Sequence, residues 1–200
     1  MRDPIVPPSF PSRGNRFSRW VGRLGMRLMG GWQVTGQFPD LGKAVLPVAP
    51  HTSNMDFPVG VFVKLALGLR VSFLGKHSLF RFPIKRLMIW LGGIPVRRDA
   101  AHGVVEQMTA QFQSREQLML VVAPEGTRSK VPEFKKGFLY IAQAAEVPLV
   151  PIAFDFARRC VDICEPVWVG DDAEAALRTV KQRLAHAVGR NPDQGFTVSD

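Results

Sequence analysis

Ala44-Val45-Leu46-Pro47-Val48-Ala49-Pro50-His51-Thr52-Ser53-Asn54-Met55-Asp56 decides how the chain is read. Ala44 to Ala49 is a short apolar run containing β-branched residues, the pattern of a buried strand. Pro50-His51 turns the chain out of that strand. Thr52, Ser53 and Asn54 are typical helix-start residues, and an apolar helix is expected from Asp56 to Leu69. Strand, corner and helix together form the unit from which α/β domains are built.

The same unit recurs on both sides. Upstream, Trp32 to Asp40 reads as a short strand and a turn. Downstream, strands are expected at Val71 to Leu74, Ile94 to Val96, Leu118 to Ala123, Val147 to Phe154 (despite Pro148 and Pro151) and Val161 to Val169. Helices are expected at Ile84 to Leu91, Ala101 to Ser114 and Phe134 to Ala145. A last helix is capped by Asp171 or Asp172 and carries Leu177, Val180, Leu184 and Val188 on its apolar face. The expectation is α/β: a single domain with a central mixed sheet flanked by helices, preceded by an N-terminal amphipathic helix. Residues 1–30 divide into a mobile Pro-rich start and that helix, and residues 31–200 form the domain proper.

The N-terminal helix is expected over Arg13 to Met29. Arg13, Arg16, Arg19, Arg23 and Arg27 follow three- and four-residue spacing and share one side. Phe17, Trp20, Val21, Leu24 and Leu28 form an adjoining apolar stripe. Two readings stay open. The stripe either lies in a membrane interface with the arginine heads on phosphates, or packs on the domain, with Gly22 and Gly25 marking the close approach.

Composition narrows the function classes. Two hundred residues suit one domain with a sizeable core. The net charge of +9 points to an acidic partner surface, either nucleic acid or anionic lipid. The aromatics do not interleave with basic residues as a stacking platform would, so no nucleic acid is expected. The first residues form no apolar signal-peptide core. No run reaches the ~18 uncharged apolar residues of a spanning helix, because Lys64 and Arg70 interrupt the stretch from Phe57 to Phe73. The chain is therefore expected to be peripheral, on the cytoplasmic face of a membrane. Cys160 and Cys164 complete no zinc pattern and read as reduced thiols. A G-x-S-x-G nucleophile elbow and a G-x-x-x-x-G-K-[ST] phosphate loop are both absent.

Two segments carry chemistry. In the first, His51 can take a proton from a hydroxyl while Asp56, folded back across the helix start, holds the other ring nitrogen. A lone H-x4-D also arises by chance. In the second, Pro124-Glu125-Gly126-Thr127-Arg128-Ser129, Gly126 permits a tight turn whose N–H groups can form an anion nest. Arg128 adds a planar fork suited to phosphate, Thr127 offers a hydroxyl, and Glu125 can orient Arg128 or a substrate hydroxyl. Gly92-Gly93-Ile94-Pro95-Val96-Arg97-Arg98-Asp99 places Arg98 where it can reach a phosphate, and Lys135-Lys136-Gly137 repeats the basic theme.

In this order and spacing, the segments from Gly31 to Phe154 resemble the glycerolipid acyltransferase superfamily that includes the 1-acylglycerol-3-phosphate acyltransferases. His51 and Asp56 look like its H-x4-D block. Gly93 to Arg98 is similar to the second block, Pro124 to Arg128 to the E-G-T-R block, and Val147-Pro148-Leu149-Val150-Pro151 to the fourth. The resemblance implies direct transfer of a fatty acyl chain from acyl-CoA or acyl-carrier protein to the hydroxyl of a lysophospholipid. His51 would be the general base and Asp56 its orienter. Arg98, Glu125, Gly126, Thr127 and Arg128 would hold the acceptor. No metal or other cofactor is implied. The implied partners are a lipid acceptor, the acyl donor and an anionic membrane surface. Arg97 departs from the pattern, which often has an acidic residue there. Two other readings stay open from sequence: a non-catalytic basic protein binding anionic lipid or nucleic acid, and a lipid esterase on the same site.

Overall fold

The computed structural model describes residues 4–96 and 101–196. The elements run in order as α1 (Arg16–Leu28), β1 (Gln33–Gly36), β2 (Lys43–Ala49), α2 (Asp56–Leu67), β3 (Ser72–Lys76), α3 (Lys85–Trp90), β4 (Gly93–Val96), α4 (Ala101–Gln113), β5 (Leu118–Val122), α5 (Gly137–Ala144), β6 (Ile152–Asp155), β7 (Cys160–Ile163) and α6 (Ala173–Leu184). Seven strands form one sheet in the order β1-β7-β6-β2-β5-β3-β4. Every pair is parallel except β6 with β7. This is the single α/β domain with a mixed sheet that the alternating pattern implies.

Strand β2 sits at the centre of the sheet, and its residues alternate between two cores, as a pleated strand must. Val45 and Ala49 face the layer built by α4, α5 and α6. Ala44 and Leu46 face the layer built by α1 and α2. Its neighbour β5 does the same with Leu118 and Leu120 against Met119. Strands covered on both faces read as continuous apolar runs, which explains why these two stood out in the sequence. Each fully buried Leu or Phe in these layers contributes about 1.5–3 kcal/mol.

The expected strand from Val147 to Phe154 forms only from Ile152 onward. Pro148 and Pro151 lack the N–H that a ladder requires. The chain there makes single bridges instead, with Leu149 meeting Val45 on one side and Val167 on the other. Strand β7 likewise stops at Ile163 rather than Val169. Asp172 caps α6 through a 2.9 Å bond from the Ala175 N–H. The apolar face of α6 ends at buried Leu184, and Val188 lies beyond the helix and is exposed.

Helix α1 begins at a reciprocal cap in which the Asn15 side chain accepts from the Ser18 N–H and Ser18 Oγ accepts from the Asn15 N–H, both at 2.9 Å. It packs on α2 through glycine. A Cβ at Gly22 would lie 2.1 Å from the Ala66 backbone nitrogen, and one at Gly25 would lie 2.2 Å from the Phe62 ring. The packing face is therefore Gly22, Gly25 and Met26. The apolar stripe is left outside, with Phe17 70% and Leu28 77% exposed and Trp20 also out in solvent. Lys64 of α2 ties this layer to the turn before β4 by donating to the Val71 carbonyl at 3.3 Å and to the Leu91 carbonyl. Burial, with the nearby Arg13 charge, pushes its pKa down to about 8.

Candidate active site

Strands β2 and β5 are parallel neighbours, with Pro47 opposite Val122. Both chains therefore leave the sheet at the same edge. Ligand-binding loops in open α/β sheets gather at this carboxyl edge. The loop after β2 carries His51, and the loop after β5 carries Glu125.

A cis Ala49-Pro50 bond turns the first loop. Asp56 is the first residue of α2 and reaches back so that its Oδ2 lies 2.8 Å from His51 Nδ1. The same oxygen accepts from the Ser53 N–H at 3.0 Å. Asp56 is buried, whereas the His51 side chain is 22% exposed. With Nδ1 held by the carboxylate, Nε2 is the ring atom that can accept a proton.

Glu125 is 1% exposed. Its Oε1 accepts from the His51 backbone N–H at 2.8 Å. Glu125 therefore does not orient Arg128, as the sequence suggested it could. It lies beneath the His51 loop and fixes the loop's main chain. Burial raises its pKa above the ordinary carboxylate range, partly offset by the bond from His51. Glu125 Oε2 and Asp56 Oδ1 are buried with no hydrogen-bond partner among the described residues. Buried carboxylate oxygens in that condition are uncommon and retain capacity to accept from a hydroxyl.

Gly126 follows at φ +68°, a left-handed conformation that favours glycine. A Cβ there would also lie 2.9 Å from the Lys135 side chain. Lys135 thus lays its stem across the turn, with its ammonium beside the glycine, while Lys136 pairs with Glu174 on α6. Thr127 Oγ1 accepts from the Ser129 N–H at 3.4 Å. Arg128 is exposed and makes no ion pair among the described residues. His51, Asp56, Glu125 and the Gly126-Thr127-Arg128 turn are thereby brought together. Arg98, with its neighbours Arg97 and Asp99, lies outside the described residues. Among the described residues no three His, Cys, Asp or Glu side chains group as a metal site.

Reading the sequence left four contributors without a role. Ser53 had a signal as a helix-start residue, but its bond to Asp56 is a matter of loop geometry. Lys135 was legible only as charge. Asn191 and Gln194, which contact the site loops, carried no signal because nothing near them repeats or alternates.

Comparisons with known proteins bear on the family and the fold. A family model described as acyltransferase matches residues 32–155. The 1-acyl-sn-glycerol-3-phosphate acyltransferase of Escherichia coli strain K12 is 29% identical over 74% of this chain and 62% of its own length. A chloroplastic 1-acyl-sn-glycerol-3-phosphate acyltransferase of Brassica napus is 32% identical over 52% of this chain and 31% of its own. The match thus spans less than two thirds of either relative. At the level of fold, the crystal structure of the 1-acyl-sn-glycerophosphate acyltransferase PlsC from Thermotoga maritima superposes with a TM-score of 0.59 at 24% identity, covering 85% of this chain and 78% of that one. The family match takes in β1 through β6 and both site loops, and on that ground the chain belongs to the acyltransferase family.

Proposed function

We propose that this chain is a peripheral-membrane O-acyltransferase that moves a fatty acyl group from the thioester of acyl-CoA or acyl-carrier protein to the hydroxyl of a lysophospholipid such as 1-acylglycerol-3-phosphate. The observation that carries the reading is the 2.8 Å pair of His51 Nδ1 and Asp56 Oδ2, standing beside the Gly126-Thr127-Arg128 turn at one sheet edge. The acceptor phosphate sits against that turn and the Arg128 fork, with Lys135 adding charge and Arg98 as a further ligand. His51 Nε2 takes the hydroxyl proton as the oxygen attacks the acyl carbon, and Asp56 stabilises the imidazolium that forms. When the tetrahedral intermediate collapses, the C–S bond breaks and the proton passes from His51 to the leaving thiolate. No covalent acyl-enzyme is formed.

The lipid-facing surface is built from the parts left outside the core. Phe17, Trp20, Leu24 and Leu28 of α1 are exposed beside their arginines. So are Leu87, Ile89 and Trp90 of α3, and Phe82 just before it is 95% exposed. Arg13 lies over the Trp90 ring at 5.9 Å and links the two groups. Aromatic and aliphatic side chains among arginines suit the headgroup boundary of an anionic leaflet, here the cytoplasmic one. No helix among the described residues is long and apolar enough to cross a membrane.

The test is acyl transfer by purified protein, with both donor types and a panel of lysophospholipids presented in vesicles, read by mass spectrometry. Acylated acceptor is expected. Free fatty acid alone would assign the site to hydrolysis, and neither product would overturn the reading. Replacing both Phe17 and Trp20 by Ser is expected to weaken sedimentation with phosphatidylglycerol vesicles by about tenfold or more, since each inserted aromatic is worth more than about 1 kcal/mol. Unchanged sedimentation would move the membrane contact elsewhere.

A further inference from the structure

The segment after α6 returns to the active site and touches both of its loops. Val188 is fixed first, its carbonyl accepting from the Phe156 N–H at 2.8 Å. Gly189 then backs onto the His51 loop, where a Cβ would lie 2.6 Å from Thr52 Oγ1. The Asn191 N–H donates to Thr52 Oγ1 at 3.2 Å, and Asn191 Nδ2 donates to the Thr52 carbonyl at 2.8 Å. The carbonyls of Thr52 and Arg128 both face the Gln194 amide and can only accept, which assigns its nitrogen to that side, 3.3 Å from Thr52 O and 2.7 Å from Arg128 O. Phe196 closes the contact by packing on Phe134 with ring centroids 4.7 Å apart.

We propose that Asn191 and Gln194 are positioning residues that set the separation between the imidazole and the phosphate-binding turn, a role that rests on the acyltransfer reading above. Thr52 follows His51 directly and is 1% exposed, so its peptide group is held from outside by Asn191 while the His51 N–H is held from inside by Glu125. Gln194 is the tie that spans the two loops from the outer side. Each loop leaves a different strand, and the Glu125 bond to the His51 N–H joins them at the inner side only, short of the Arg128 end of the turn. Placement errors near 1 Å cost about 100-fold in rate, so a side chain bridging the two main chains acts directly on turnover.

The experiment compares Gln194→Ala, Gln194→Glu and Asn191→Asp with the native chain. The two acidic variants keep the size of the side chain and remove the donor. Amide hydrogen exchange is measured without substrate. Exchange in both the 51–56 and 125–128 loops is expected to rise in Gln194→Ala and Gln194→Glu, while β5 stays protected. Asn191→Asp is expected to loosen the 51–56 loop alone. In the transfer assay, kcat is expected to fall about 10–100-fold per folded molecule in the Gln194 variants, with Tm nearly unchanged. Unaltered exchange in either loop, wild-type behaviour of Gln194→Glu, or an activity loss matched by the unfolded fraction would overturn the proposal. If the native chain transfers no acyl group, the acyltransfer reading fails, and the exchange data still decide whether the clasp holds both loops.

Discussion

His51→Ala is expected to lower kcat for acyl transfer by about 100- to 10,000-fold, the usual contribution of a positioned base. The fold should survive. The bond that anchors this loop to Glu125 comes from the His51 backbone, which alanine retains, and the Ser53 N–H still donates to Asp56 Oδ2. The imidazole is partly exposed, so its removal opens no buried cavity. The native and mutant proteins should therefore give matching circular-dichroism spectra and similar melting temperatures while product formation collapses. KM for the donor should change little, because the imidazole acts on the acceptor hydroxyl in the transition state. A mutant turning over at the native rate would remove His51 from the mechanism, and a mutant that fails to fold would mean its ring is structural.

Asp56→Asn is expected to cost about 1,000-fold or more in kcat, on the scale seen when an orienting carboxylate is neutralised beside a catalytic imidazole. Two effects act together. The amide has no charge to stabilise the imidazolium once His51 holds the proton. If its oxygen keeps the bonds from His51 and Ser53, its NH2 falls at the Oδ1 position, which is buried and has no hydrogen-bond partner among the described residues. The alternative rotation puts the NH2 against the Ser53 N–H and His51 Nδ1 and forces the wrong tautomer. Steady-state kinetics separate this from a binding defect, since kcat should fall with KM for both substrates nearly constant. Native kcat in Asp56→Asn would show that the carboxylate merely starts helix α2.

Much of the site was legible because its parts are local. His51, Asp56 and the intervening helix-start residues lie within one strand-to-helix connection, and Gly126 marks its own turn. Glu125 stood out in the sequence as part of its Pro-Glu-Gly-Thr-Arg segment, but its bond to the His51 loop was not legible there. Its partner is a backbone N–H in a distant loop, and sequence spacing says nothing about which loops meet. The proline-bearing stretch from Val147 to Pro151 was over-read as strand for a related reason: its apolar character is set by burial, while its pairing is limited by two missing donors.

By itself the sequence determined the alternation of strands and helices, the two chemical motifs and the basic amphipathic character of α1, because each depends on the period and identity of neighbouring residues. Only the tertiary structure decided that β2 and β5 lie side by side and deliver their loops to one edge, since that follows from crossovers joining strands far apart in the chain. It also decided which face of α1 is covered. The glycines let its backbone approach α2 more closely than any side chain would, and that contact leaves the aromatic stripe facing outward.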